Sequence, residues 1–230
     1  MNRDVIKYFA MAAMLLNHIG NIFLEPGTAL SAFFIDIGYF TAPVMCYFLV
    51  EGYQYTRSKK KYAFRLALFA VLSEIPFCLA FSELYNGEKV ISFCGFNMIF
   101  TLLLCFGILY VMEHVRYGAV RTLLIIGLFL ASCFSDWALL APMFTVLFAQ
   151  WMGNERKIRN AFLMGAGLFA LMNFQPAYSM EQLLANFVYA VLSASGILLA
   201  GAVIVYFYNG KRMEKGKKFS QWFFYLFYPV

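Results

Sequence analysis

Long apolar runs separated by short polar breaks occupy almost the whole chain. A helix that crosses a bilayer needs about 20 mainly apolar residues. The runs predict eight complete spans, at about residues 5–24, 29–54, 62–82, 96–113, 118–134, 137–152, 160–174 and 183–208. A further run, from Phe219 to Val230, is too short to cross, so we expect a partial ninth span and a chain truncated at its C-terminus. The predicted fold is all-α, a polytopic membrane helical bundle in a single domain over residues 1–230.

The basic residues in the breaks predict an orientation. With the exception of Lys89, every lysine and arginine falls on alternate breaks, in the set that includes the N-terminus. The opposite breaks carry Glu25, Glu83, Glu88, Asp136 and Glu181. Under the positive-inside rule the N-terminus is therefore cytoplasmic, in a multi-pass protein of the bacterial cytoplasmic membrane.

Composition supports a membrane protein and excludes several functions. The chain is 63% hydrophobic and 13% charged, whereas soluble domains are about 45–50% apolar and about 25% charged. The net charge of +6 is spread over short loops, which excludes a nucleic-acid-binding module. The five cysteines form no CxxC pair, so the sequence predicts no metal site and no disulfide framework.

Polar residues inside the predicted spans are the candidate functional residues, because ionisable groups are costly there. Helical rise places His18 about 16 Å from Lys7, near mid-membrane, and Glu74 about 20 Å from Lys61. Asp36 lies about 10 Å below the outer end of its span. We therefore expect His18, Asp36 and Glu74 to converge. Glu51 lies at the height of Arg65, near the cytoplasmic surface, and Asn17, Asn97, Thr101 and Asp136 add hydrogen-bonding capacity.

A neutral imidazole in this position suits general-base catalysis. A carboxylate on its other nitrogen would fix the tautomer, and Asp36 and Glu74 are the first candidates, with Asp136 a third. The alternative is a structural hydrogen bond between helices. Glu51 and Arg65 are equally open to two interpretations, a structural ion pair or an entry site for an anionic ligand.

Five stretches span nearly the whole chain: LLNHIG (Leu15–Gly20), APVMCYFLVEGYQYTRSKKKYAFRLALFAVLSEIPF (Ala42–Phe77), NMIFTLLLCFG (Asn97–Gly107), YNGK (Tyr208–Lys211) and FFYLFYPV (Phe223–Val230). These stretches, in this order, resemble the TraX family of integral membrane acetyltransferases. The family is also distantly similar to the transmembrane acyltransferases that modify surface sugars. Two positions depart from the family: Asn17 stands where an Asp often precedes the His, and the chain stops where the family usually continues.

The resemblance implies an acetyltransferase. Acetyl-CoA would be the donor and cofactor, and the acceptor an amine or hydroxyl of a membrane-associated or exported molecule. His18 would be the general base, with Asp36 and Glu74 beside it. The donor would lie near Arg65, Glu51, Lys211 and Arg212, and Asn17, Asn97, Thr101 and Asp136 would support the substrate or the oxyanion.

Two other functions are considered beside it. Ionisable residues at mid-membrane also suit a small proton-coupled transporter, although the sequence shows no internal repeat of the kind that many transporters have. A purely structural partner in a secretion or conjugation complex would leave the buried carboxylates unexplained.

Overall fold

The computed structural model describes residues 1–86, 93–213 and 223. Their helices are α1 (Arg3–Ile22), α2 (Ala29–Gly38), α3 (Thr41–Tyr55), α4 (Lys59–Asn86), α5 (Met98–His114), α6 (Gly118–Ser132), α7 (Leu140–Trp151), α8 (Glu155–Asn173), α9 (Met180–Ser193), α10 (Ser195–Ala202) and a π-helical turn (Val203–Phe207). The predicted all-α class is confirmed. Within the described ranges, extended pairing is limited to an isolated bridge between Phe96 and Ser135. The predicted ninth span lies outside the described residues except for Phe223.

Each of the eight predicted spans contains a helix, but eight complete crossings are not confirmed. Three helical segments of the described chain are long and apolar enough to cross a membrane: Ala29–Tyr55, Lys59–Ser82 and Met180–Phe207. α7 has 12 residues, about 18 Å of helix, against about 30 Å of hydrocarbon. The apolar helices indicate a membrane protein, and the number of its spans stays a prediction.

The predicted span 29–54 is broken into α2 and α3. The N–H groups of Tyr39 and Phe40 bond to the carbonyl oxygens of Asp36 and Ile37, at 3.2 and 3.1 Å. These bonds reach back three residues instead of four and so tighten the end of α2. Pro43 has no N–H to donate to the Tyr39 carbonyl. The α-helical hydrogen-bond ladder is therefore interrupted at this point.

The described chain divides into two compact units. The first comprises Met1–Val44 and Gly153–Met213, and the second includes Met45–Met152. α1, α2, α8, α9 and α10 belong to the first unit, and α4 to α7 belong to the second with most of α3. That the whole chain is one domain stays a prediction.

In the first unit, α1 and α2 run antiparallel. Ser31 donates its hydroxyl to the Gly20 carbonyl at 2.9 Å, and Thr41 donates to the Ala10 carbonyl at 2.8 Å. Thr41 comes later in the chain than Ser31 but bonds to an earlier residue of α1. The segment after α1 therefore runs antiparallel to it. The two hydroxyls are buried. Each bond therefore gives a partner to a hydroxyl that would be costly to bury without one.

Two glycines allow α10 to pack closely in the same unit. A β-carbon on Gly196 would lie 2.8 Å from the backbone nitrogen of Phe40, and one on Gly201 would lie 2.8 Å from the β-carbon of Phe162. Both distances are shorter than van der Waals contact, so only glycine fits at these positions without movement of a neighbour. α10 thereby approaches the end of α2 on one side and α8 on the other.

The N-terminus is attached to the segment that follows the π-helical turn. Arg3 donates its backbone N–H to the Lys211 carbonyl at 2.9 Å, and Met213 donates its N–H to the Asp4 carboxylate at 2.8 Å. The charge pattern assigns both segments to the cytoplasmic side, and their contact agrees with a common side.

In the second unit, α5 packs against α4, α6 and α7. Its Cys105 and Ile108 are fully buried, as are Phe144 and Phe148 of α7. α5 is therefore the central helix of this unit, and the residues around its first turn are held on several sides.

Candidate functional site

Four of the predicted site residues meet around the first turn of α5. They are Glu74, Asn97, Thr101 and Asp136, and we call them the α5 cluster. Asn97 and Thr101 are fully buried, and Glu74 and Asp136 are half-buried. Asn97 and Thr101 are four residues apart and lie on one face of the chain as the helix starts. Glu74 contacts that face from α4, and Asp136 contacts it from the connection between α6 and α7.

Asn97 is the N-cap of α5 and the centre of the cluster. Its side-chain oxygen accepts the N–H groups of Ile99 and Phe100, at 2.9 and 3.2 Å. Its side-chain amide donates to the Ala70 carbonyl and to the Glu74 carboxylate, both at 2.7 Å. All hydrogen-bonding positions of the amide are thus used, which accounts for an asparagine in so apolar a surrounding.

The Glu74 carboxylate joins α4 to the start of α5. One oxygen accepts both the backbone N–H of Asn97, at 3.2 Å, and its side-chain amide. The other oxygen accepts the thiol of Cys78 at 3.8 Å. Glu74 therefore positions the α5 cluster.

The connection that carries Asp136 is attached to the same turn. Thr101 donates its hydroxyl to the Asp136 carbonyl at 2.5 Å. The Asp136 N–H donates to the Phe96 carbonyl at 2.8 Å, and the Phe96 N–H donates to the Phe134 carbonyl at 2.9 Å. Ser135, the residue before Asp136 in this connection, is buried.

Backbone strain is concentrated just after Asp136. Trp137 and Leu139 have φ of 58° and 61°, although neither is glycine. The Leu140 N–H bonds to the Ala138 carbonyl at 2.6 Å, so Leu139 is the central residue of a γ-turn of the strained class. Such conformations cost about 1–3 kcal/mol and occur preferentially at functional sites. The strained backbone beside Asp136 therefore supports a functional role for this residue.

The Asp136 carboxyl lies between α6 and α7, outside both helices, and burial raises its pKa to about 6 despite a bond from the Trp137 N–H. The folded protein then holds this proton more tightly than the unfolded chain does. We expect this contribution to stability to be present below about pH 4 and lost as pH rises to about 6, by at most about 3 kcal/mol. Thermal unfolding of detergent-solubilised protein tests this, since Asp136→Asn should remove that part of the pH dependence. Parallel curves for the two proteins would contradict it.

His18, Asp36 and Asn17 lie in the first unit. His18 and Asp36 are half-buried and share a level of the antiparallel α1–α2 pair. Asn17 donates to the Ile35 carbonyl at 3.0 Å and accepts the side-chain amide of Asn21 at 3.0 Å. Its side chain also packs against Gly38, so Asn17 connects the two helices. Glu74 belongs to the other unit, and the convergence of His18, Asp36 and Glu74 stays a prediction.

The residues predicted to bind the donor are distributed over both units. Glu51 is buried and Arg65 is half-buried in the second unit. The Arg65 guanidinium lies 5.9 Å from the centre of the Tyr62 ring, and its buried Nε has no hydrogen-bond partner within the described part of the chain. Lys211 and Arg212 are exposed in the first unit. Their role in donor binding stays a prediction.

One polar group of the second unit was missed by the sequence analysis. Glu113, at the end of α5, accepts hydrogen bonds from the Tyr53 hydroxyl and the Lys59 ammonium. The Lys59 ammonium also lies 4.3 Å from the centre of the Tyr53 ring. Little in the sequence indicated these contacts, because Glu113 lies far from both Tyr53 and Lys59 along the chain. This exposed group joins the ends of α3, α4 and α5.

Comparisons with known proteins identify relatives of the chain. The family model described as "TraX protein" matches residues 2–230. The "Probable fimbrial assembly protein FimC, serogroup H1" of Dichelobacter nodosus is 32% identical over 230 residues, which cover 98% of this chain and 90% of that protein. No solved structure matches the chain.

These findings correct the predicted function. The prediction of acetyl transfer from acetyl-CoA with His18 as the general base was wrong, and so was the alternative of a proton-coupled transporter. The relative is named for fimbrial assembly, and neither printed name includes acetyl-CoA chemistry or transport. The resemblance to the TraX family is confirmed.

Proposed function

Because this chain belongs to the TraX family, we propose that it is a multi-pass protein of the bacterial cytoplasmic membrane that acts in fimbrial assembly. The observation that carries the proposal is the match to a fimbrial assembly protein along 98% of this chain and 90% of the relative. An alignment of that extent supports the same architecture in both proteins. The three long apolar segments support a membrane location.

We propose the α5 cluster as the functional site. It combines the Glu74 carboxylate with two fully buried polar side chains and with the backbone of Asp136, in a chain that is 63% hydrophobic. Asn97 and Glu74 hold the geometry, and the Asp136 carboxyl, at the strained connection, is the group to which we assign the function. Costly ionisable groups and local strain are both typical of functional sites in membrane proteins.

We also propose a reaction class for the protein. TraX-family proteins are associated with pilin acetylation, which fits an enzyme of the acyltransferase class acting on a fimbrial subunit.

Deletion of the gene in the host bacterium tests the proposed role. We expect cells without the protein to carry few or no assembled fimbriae, and plasmid-borne wild-type protein to restore them. Surface fimbriae are counted by electron microscopy, and the subunit is measured by immunoblotting of sheared and whole-cell fractions. Normal fimbriae on deleted cells would contradict the role in assembly.

The same cells test the reaction class separately. The intact mass of the fimbrial subunit should be larger in the wild type by one acyl group if the protein modifies it. Equal masses, together with lost fimbriae, would exclude the enzyme and leave the assembly role.

A further inference from the structure

Two thiols lie close together beside the α5 cluster. The sulfur of Cys94, in the segment before α5, is 3.9 Å from the sulfur of Cys78 on α4. A disulfide bond is about 2.05 Å long, so side-chain rotation and a small shift of one segment are enough to join them. Gly95, at φ 105°, follows Cys94 directly, and a glycine gives the backbone there the freedom for such a shift.

We propose that Cys78 and Cys94 form a reversible disulfide that links α4 to the segment before α5. The charge pattern places this end of α4 and α5 on the side opposite the basic loops, which is extracytoplasmic. Disulfides form and persist in that compartment. Cys94 is half-buried and open to a reagent, and Cys78 is at the edge of the buried class, 9% exposed.

The reaction is a thiol–disulfide exchange with an oxidised disulfide, either a small molecule or a protein. The Cys94 thiolate attacks one sulfur of the oxidant, which forms a mixed disulfide and releases the first thiolate. The Cys78 thiolate then attacks the Cys94 sulfur and releases the second thiolate. The two cysteines lose two protons and two electrons, and the oxidant is reduced to two thiols.

The surroundings of Cys94 make this exchange slow at neutral pH. Burial, the hydrogen bond with Cys78 and the charge of Glu74 together raise the pKa of the Cys94 thiol to about 11. Because the thiolate is the attacking form, the reduced pair persists until pH rises or an oxidant is supplied in excess. Exchange is therefore expected to accelerate by about tenfold per pH unit in the mildly alkaline range.

The disulfide would change the α5 cluster. Cys78 donates its thiol to the Glu74 carboxylate at 3.8 Å, and a sulfur in a disulfide has no proton to donate. Oxidation would leave Glu74 with Asn97 as its remaining described partner. The redox state of the pair is thereby coupled to the group that positions the start of α5.

A second thiol pair serves as an internal control. Cys46 and Cys105 lie close enough for their thiols to interact in the core of the second unit. Both are fully buried, so a dissolved oxidant does not reach them. Proximity alone predicts that both pairs oxidise, whereas the proposal predicts oxidation of Cys78 and Cys94 only.

The experiment uses membranes that contain the full chain, treated with oxidised glutathione at mildly alkaline pH. The remaining thiols are alkylated, and the digested protein is analysed by mass spectrometry with and without a reductant. We expect a linked peptide containing Cys78 and Cys94 that disappears on reduction, at least about tenfold more abundant than any peptide linking Cys46 and Cys105. Cys94→Ser should abolish it, and Cys133→Ser, which removes an exposed thiol elsewhere, should retain it.

Two results would overturn the proposal. In one, Cys94 is recovered fully alkylated after oxidation. In the other, it carries glutathione as a stable mixed disulfide while Cys78 stays alkylated.

Discussion

Replacing Asn97 with alanine is expected to lower the free energy of unfolding by about 3 kcal/mol, because it removes an N-cap and leaves buried partners without hydrogen bonds. The carbonyl of Ala70 and the carboxylate of Glu74 would each lose a donor at 2.7 Å. The N–H groups of Ile99 and Phe100 would lose their acceptor. Thermal or denaturant unfolding in detergent, followed by circular dichroism, measures the loss.

Two variants distinguish the effect of the hydrogen bond between Asn97 and Glu74 from the effect of the N-cap. Asn97→Asp keeps an oxygen for the cap but places a carboxylate against Glu74, so we expect it to be nearly as destabilising as the alanine variant. Adding Glu74→Gln returns a donor to the pair and should recover about half of the loss or more. An Asn97→Asp protein as stable as the wild type, or a double variant without recovery, would show that this contact contributes little.

Gly196→Ala is expected to destabilise the first unit by about 2–3 kcal/mol, since an added methyl group meets atoms that cannot move aside. The new β-carbon would overlap the Asp36 carbonyl oxygen and lie 2.8 Å from the Phe40 nitrogen. These are backbone atoms of the tightened end of α2, so relief requires α10 to move away. The same unfolding measurement applies.

Gly167→Ala is the matched control for that substitution. Gly167 is an exposed residue of α8 in the same unit, and a β-carbon there would meet nothing within 4 Å. Alanine favours a helix over glycine by up to about 1 kcal/mol. We therefore expect unchanged or higher stability for Gly167→Ala. Equal effects of the two substitutions would contradict the close approach of α10 to α2.

The helical segments were predictable from sequence because apolar runs of this length leave few alternatives in a membrane. Their interruptions were less predictable. Pro43 is a local signal for the break between α2 and α3 that the hydropathy pattern masked. The strained turn at Trp137 and Leu139 has no glycine, proline or asparagine to indicate it.

The candidate site was predictable in its residues but not in its grouping. Residue type and depth identified Glu74, Asn97, Thr101 and Asp136, since each is polar where the chain is apolar. Depth along a helix does not say which side of that helix faces which neighbour. The pairing of Glu74 with Asn97 depends on the segment before α5 returning to α4.

The measurement that tests the central claim most directly is the number of surface fimbriae on deleted cells that express Asp136→Asn. Glu155→Gln, which changes an exposed carboxylate at the start of α8, is the control at matched protein level. The proposal predicts few or no fimbriae with Asp136→Asn and a wild-type number with Glu155→Gln. A wild-type number with Asp136→Asn would contradict the assignment of the α5 cluster as the functional site.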